Sequence, residues 1–231
     1  ALNVIPTLPT LYDEPFADSS QIPTFLVSKI AKEKVKVVLS GDGGDELFGG
    51  YNRYLWSRSL LNKTSLIPNL ARQGVSSVLT SIPSKYWDSM NNSISGFFPP
   101  KYRTKLIGDK IHKIARLISV EDDLDFYKGL VSQWQNPLDI VKGGIDENRY
   151  TSFGSNKKLF SDIEHRMMFM DTNTYLPDDI LCKVDRAAMG VSLETRLPFL
   201  NHNVVRFAWQ LPLNMKIRDQ CGKWILRELL F

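Results

Sequence analysis

Two apolar periods divide this chain. Val35-Lys36-Val37-Val38-Leu39 is a short β-branched run of the kind that forms a buried strand of a parallel sheet. Ahead of it, Ser19 or Ser20 can cap a helix reaching to about Lys34, with Pro23 tolerated in its first turn. Behind it comes a glycine-rich turn, and from about Leu47 onward the apolar spacing is helical, as in Leu124–Trp134 and Phe160–Tyr175. Pro83, Pro99, Pro100, Pro137, Gly143, Gly144, Gly154 and Pro177 punctuate those helices. Helix, strand and glycine-rich turn in that order predict a helix-rich α/β fold. One strand makes no sheet, so its neighbours are expected to precede residue 1.

At 231 residues and 43% hydrophobic content the chain can bury a core of one or two domains. A net charge of +4 without a dense Lys/Arg block is too weak to imply nucleic acid, and RNA binding on the basic helical part is the weakest reading. No apolar run approaches the roughly 20 residues of a membrane span, and no signal peptide is visible. Cys182 and Cys221 offer neither a disulfide framework nor zinc spacing and read as small packing residues in a reducing cytoplasm. Ala1 is not an initiator methionine, and Lys223–Phe231 stops inside an amphipathic helix, so the chain reads as a piece of a larger protein.

Candidate chemistry falls in two clusters. The strand empties into Ser40-Gly41-Asp42-Gly43-Gly44-Asp45-Glu46-Leu47-Phe48-Gly49-Gly50-Tyr51. Ligands of open α/β sheets bind beyond the carboxyl ends of strands. There glycines let amides approach a phosphate, and carboxylates can hold Mg²⁺ against it. The turn is not a Walker A loop, not a dinucleotide G-x-G-x-x-G, and not an EF-hand, because Gly44 occupies the third position from Asp42. Its bland reading is a tight strand–helix turn with Asp45 and Glu46 favoured by the helix dipole. In the second cluster Pro177 opens a helix with Asp178 and Asp179 in its first turn, and Asp179, Lys183 and Arg186 can share one face. Its bland reading is a capped helix with surface ion pairs. Ser192–Asn201 reads as a turn ending at a cap, with Glu194 and Arg196 as a structural ion pair, and Asp13-Glu14 can be a turn and nothing more.

With both clusters in view, the chain resembles the synthetase domain of glutamine-hydrolysing asparagine synthetases. The resemblance is carried by Asp13–Ser20, by Ser40–Tyr51, and by Leu176 through Lys183-Val184-Asp185-Arg186 to Glu194–Leu200. It implies part of an adenine-nucleotide α-hydrolase-like (HUP) parallel-sheet domain in residues 1–56. Residues 57–231 would then be helical, with 176–201 returning to the active site. It implies ATP and Mg²⁺, with aspartate activated as β-aspartyl-AMP, pyrophosphate released, and AMP displaced by ammonia from an N-terminal glutaminase domain outside this chain. It implies Ser40, Gly41, Gly43, Gly44 and Lys223 as nucleotide contacts and Asp45 as the metal ligand. Asp42, Lys183 and Asp179 would be the catalytic residues. A homodimer is a candidate assembly.

Two positions depart from the family pattern. Asp42 is one methylene shorter than the usual glutamate, and Asn201 stands where Asp is usual. The family's Ser-Gly-Gly-x-Asp-Ser loop is not among these residues, so the chain by itself is not expected to make asparagine. Two alternatives stay open: a related ligase amidating another carboxylate such as a sugar acid, and a non-catalytic scaffold that keeps the turn for folding.

Overall fold

Val37–Leu39 (β1) pairs in parallel with Glu194–Arg196 (β2), so the strand before the glycine-rich turn is tied to the distal third of the chain. The computed structural model describes residues 2–95, 107–132, 134, 138, 141–144 and 159–230. Pro99, Pro100, Pro137 and Gly154, expected as breaks, lie outside the described residues.

This pairing corrects two expectations. The neighbour of β1 is a segment read as a turn, because Glu-Thr-Arg carries no apolar alternation. The strand is also not buried: Val37 is 38% and Leu39 73% exposed. Among the described residues the parallel sheet has two strands, which leaves β1 open along one edge. The architecture is nonetheless a helix-rich α/β one with a small parallel sheet.

The chain divides into two compact units, residues 1–55 with 160–231, and residues 56–159. In the first, Gln21–Lys32 (α1) packs on Cys182–Met189 (α9). Ser20 occupies the N-cap of α1 as anticipated, but its side chain does not cap: its backbone N–H and its Oγ both donate to Asp18, at 2.8 and 2.7 Å. The short helix Gly44–Phe48 (α2) lies at the centre, against Ile163–Asn173 (α8), His202–Gln210 (α10) and Trp224–Glu228 (α11). Leu47, Phe48 and Ala208 form the buried centre of this packing, flanked by Phe199, Leu200, Trp209 and Ile225. A second departure from the all-helical expectation is the antiparallel hairpin Ile217–Arg218 (β3) and Cys221–Gly222 (β4). Asp219 and Gln220 turn it with φ of 51° and 59°, the left-handed pair that suits a two-residue hairpin.

Among the described residues of the second unit the helices are Asn52–Ser65 (α3, shared across the boundary), Asn69–Ser81 (α4), Ser84–Ser95 (α5), Ile107–Ser119 (α6) and Asp123–Val131 (α7). α6 packs on α4, α5 and α7. Gly108 allows its closest approach, since a Cβ there would sit 2.2 Å from the Ser84 carbonyl oxygen. Asp122 caps α7 by accepting from the Leu124 N–H at 3.0 Å.

One charge is buried against the rules. Lys216 is fully buried, its ammonium lies 4.7 Å from the centroid of Trp209, and among the described residues its Nζ has no hydrogen-bond partner. Phe160, Phe169 and His165 surround the same indole. Burial pushes the Lys216 amine down from 10.5 to about 8. A depressed lysine binds fewer protons in the fold than in the unfolded chain. Its destabilisation is therefore complete below about pH 8 and relieved as pH rises towards 10.5. Lys216→Met should raise the melting temperature at neutral pH, and its advantage over wild type should shrink across that interval. An advantage that stays constant with pH in thermal unfolding would rule out a buried charge as its source.

Candidate active site

The glycine-rich turn is built by close approach. As β1 ends, the Ser40 N–H donates to the Arg196 carbonyl at 2.9 Å, which holds the turn beside Leu197–Leu200. Gly43 adopts φ +86° at the start of α2, and a Cβ there would lie 2.5 Å from Leu200 Cδ2. The Ser40 hydroxyl donates to Asp42 Oδ2, so Asp42 folds back on its own turn. The Gly44 amide is likewise engaged inside the turn, donating to Gly41 O at 3.2 Å, while Gly41 is exposed.

The two acidic residues opening α2 point to different environments. Glu46 is 1% exposed and accepts the Tyr51 hydroxyl at 2.7 Å, and its burial raises its pKa. Asp45 is half-buried and pairs through Oδ2 with Lys223 Nζ at 2.9 Å. Lys223 follows β4 in a left-handed conformation, φ 56°, which costs a non-glycine residue of order 1–3 kcal/mol. Its amide donates to Phe48 O at 3.0 Å, so the far end of α2 holds the backbone that presents the ammonium. A Cβ on Gly50 would stand 1.9 Å from Asp45 Oδ1 and 2.4 Å from Lys223 Cε, so a side chain at 50 would push this pair apart.

The second cluster assembles around Asp18. Lys183, itself buried, donates to Asp18 Oδ2 at 2.7 Å. Burial acts to raise the Asp18 pKa, but the hydrogen bonds from Lys183 and Ser20 outweigh it and hold the group below 3.8. Asp179 is shifted the other way, raised first by burial and then by the charge of Asp18. Its Oδ1 is buried without a hydrogen-bond partner among the described residues. Burial and the same acidic neighbourhood lift the phenols of Tyr12 and Tyr175 to about 12. Arg186 reaches Asp13 at 2.7 Å, so the Asp13–Ser20 stretch is tied to α9 by two ion pairs, one of them from the Asp13-Glu14 step read as a bare turn. Pro177 opens a π-helical turn, Leu176–Leu181, that leads into α9.

A family model described as asparagine synthase matches residues 1–230. The chain belongs to the asparagine synthase family. Asparagine synthetase [glutamine-hydrolyzing] 1 of Bacillus subtilis is 30% identical over 230 residues, which are 98% of this chain and 33% of that protein. A Mycobacterium bovis protein, named provisionally as a glutamine-hydrolysing asparagine synthetase, is 30% identical over 226 residues, 98% of this chain and 32% of its own length. The chain thus spans about a third of the length of the curated relatives it matches. No solved structure matches it.

For this member of the asparagine synthase family the structure brings Ser40 to Asp42, Asp45 to Lys223, and Lys183 and Asp179 to Asp18. Asp18 was given no role in sequence, although the stretch carrying it was singled out. Among the described residues no group of three or more His, Cys, Asp or Glu could hold a metal ion. The single carboxylate of Asp45 fits Mg²⁺ only in the shared manner, with substrate phosphates and water supplying the other ligands.

The opposed shifts of the two carboxyls have opposite consequences for stability. Asp18, depressed below 3.8, adds stability at neutral pH that is lost as pH falls through its folded value. Asp179, raised above 3.8, subtracts stability at neutral pH, and that loss is relieved as pH falls through its folded value towards 3.8. Asp18→Asn should lower the melting temperature at neutral pH and Asp179→Asn should raise it. Both differences should close in acid, and melting curves that shift in the same direction at neutral pH would refute the assignment.

Proposed function

We propose that the protein carrying this chain activates the side-chain carboxylate of aspartate with ATP and delivers the acyl group to ammonia, forming asparagine. The observation that carries this reading is the Asp45–Lys223 pair, held over a glycine-rich turn in a chain of the asparagine synthase family. The turn and its lysine supply what phosphoryl chemistry needs: a fixed cation, a carboxylate beside it, and backbone that a ligand can approach. Asp45 would hold Mg²⁺ jointly with the nucleotide's phosphates, and the ion would neutralise charge on departing pyrophosphate.

In the first step a carboxylate oxygen of aspartate bonds to the α-phosphorus as the bond to pyrophosphate breaks, giving β-aspartyl-AMP. Lys223 would meet the negative charge on the phosphates, and Ser40, Gly41 and Gly43 would line the nucleotide, with Gly44 shaping the turn. In the second step ammonia attacks the acyl carbon, loses a proton, and AMP leaves. Asp42 is suited to a place beside the acyl-adenylate and to receiving that proton. Lys183 and Asp179 would frame the acceptor acid, with Asp18 holding the Lys183 ammonium in place. The names of the relatives, glutamine-hydrolysing, support ammonia delivered from a separate glutaminase domain. We read residues 1–56 as the C-terminal part of a HUP-like nucleotide core and 176–201 as the segment returning to it. The setting would be cytoplasmic, and the protein a homodimer.

The test is aspartate-dependent exchange between ATP and pyrophosphate by the full-length protein. Asp45→Asn should reduce exchange by about 100- to 1,000-fold, the usual cost of removing a transition-state stabiliser. Gly50→Ala should do the same while the protein stays folded, because it displaces both members of the pair. Exchange driven by another carboxylic acid and not by aspartate would redirect the reading to a related ligase. Full exchange in both variants would dismiss the site.

A further inference from the structure

Arg53 lies where the two clusters approach one another. Its guanidinium carbon is 4.0 Å from the centroid of Tyr51, 5.0 Å from Tyr175 and 5.4 Å from Tyr54. Its edge turns to Asp171, with Nε and Nη2 at 3.1 and 2.8 Å from Oδ2. Asp171 and Tyr54 are fully buried, and the Tyr54 hydroxyl donates to the same carboxylate oxygen. A buried carboxylate of this kind needs a cation, and the cation is itself enclosed by aromatic faces.

Two of those rings lead to the proposed site. The Tyr51 hydroxyl holds Glu46 at 2.7 Å, directly beside Asp45 in the first turn of α2. Tyr175 stands at the head of the π-helical turn Leu176–Leu181 that carries Asp179, and Asp179 feels the charge of Asp18, the partner of Lys183. Tyr51 and Tyr175 also touch edge to face, 5.8 Å between centroids. One planar cation therefore spans the gap between the Asp45 segment and the Asp179–Lys183 segment.

We propose that Arg53 is a positioning residue that locks the glycine-rich turn to the 175–183 segment and so sets the spacing of the two halves of the site. The inference rests on the ligase reading for its catalytic consequence, though not for the lock itself. A flat guanidinium can stack on several rings while bonding a carboxylate, whereas a lysine ammonium offers charge without the plane. Lysine at position 53 should keep the Asp171 charge compensated and release the rings.

The test uses two variants of the full-length protein. Arg53→Lys retains the charge. Arg53→Met combined with Asp171→Asn removes both charges and keeps an acceptor for Tyr54, so folding does not hinge on an orphaned carboxylate. In each, amide hydrogen exchange should quicken together in residues 43–51 and 175–183, with residues 202–210 unchanged. Aspartate-dependent ATP–pyrophosphate exchange should fall by about 100-fold in kcat, as for a misplacement of about 1 Å, with little change in KM for ATP. Quickened exchange in one segment alone, or wild-type protection and turnover in Arg53→Lys, would overturn the lock. A wild-type protein without ATP–pyrophosphate exchange would defeat the ligase reading, and the hydrogen-exchange result would still decide for or against Arg53.

Discussion

The first unit depends on how closely other segments come to the backbone of residues 43–50. Leu200 occupies the space where a side chain on Gly43 would stand, Ile217 the space beside Gly49, and the Asp45–Lys223 pair the space beside Gly50. From the far side, Gly222 brings its own backbone so near that a Cβ would lie 2.2 Å from the Gly49 carbonyl oxygen. Five residues of helix, Gly44–Phe48, could not hold a shape alone, since so short a helix lacks the cooperativity to persist. They hold it because α8, α10 and α11 pack around them and because Leu47 and Phe48 fill the space between. The glycines are thus the condition for this packing as much as for any ligand.

That constraint explains what could be read from the sequence and what could not. The density of glycines and carboxylates after an apolar run marked the turn as the place of interest, and the resemblance added Lys223, which the structure brings to Asp45 of that turn. The helical periods at Phe160–Tyr175 and Leu124–Trp134 reappear as α8 and α7 within a few residues at each end. The pairing of β1 with β2 was not legible, because Glu194-Thr195-Arg196 has no apolar face to declare it a strand. Nor was the partner of Lys183. Asp18 lies 165 positions away, and no period relates residues so far apart. Lys216 was invisible for the opposite reason: a lysine shortly before the polar Arg218-Asp219-Gln220 turn reads as solvated, and only the tertiary fold closes Trp209 over it.

The charges inside this unit fall into two kinds. Asp18 with Lys183, and Asp171 with Arg53, are compensated pairs of the sort whose loss of one partner leaves an uncompensated buried charge. Glu46, Asp179 and Lys216 are held away from their preferred ionisation by burial, each tending towards its neutral form. A fold kept only for stability would replace the second kind with apolar side chains of similar volume. Under the ligase reading Asp179 is itself placed at the acceptor acid and Glu46 adjoins Asp45, so their cost would follow the common pattern in which a site carries strain that the rest of the domain offsets. Lys216 has no such assignment, and nothing in the structure explains why a lysine rather than a methionine fills that position.

The Asp45–Lys223 pair has a further consequence under the ligase reading. The ammonium and the carboxylate satisfy each other at 2.9 Å, each about one-third exposed. An exposed pair of this kind contributes little net stability, so separating it costs little. An arriving polyphosphate would compete for the ammonium and a divalent cation for the carboxylate, and each would replace a weak partner by a stronger one of the same sign. The strain in the Lys223 backbone is paid during folding, through its amide bond to Phe48 and the contact of Gly222 with Gly49, and not at the moment of binding. The lysine would therefore meet its ligand already aimed, with only the side-chain partner to exchange. Preorganisation of this kind separates a turn that tolerates a nucleotide from one built to act on it.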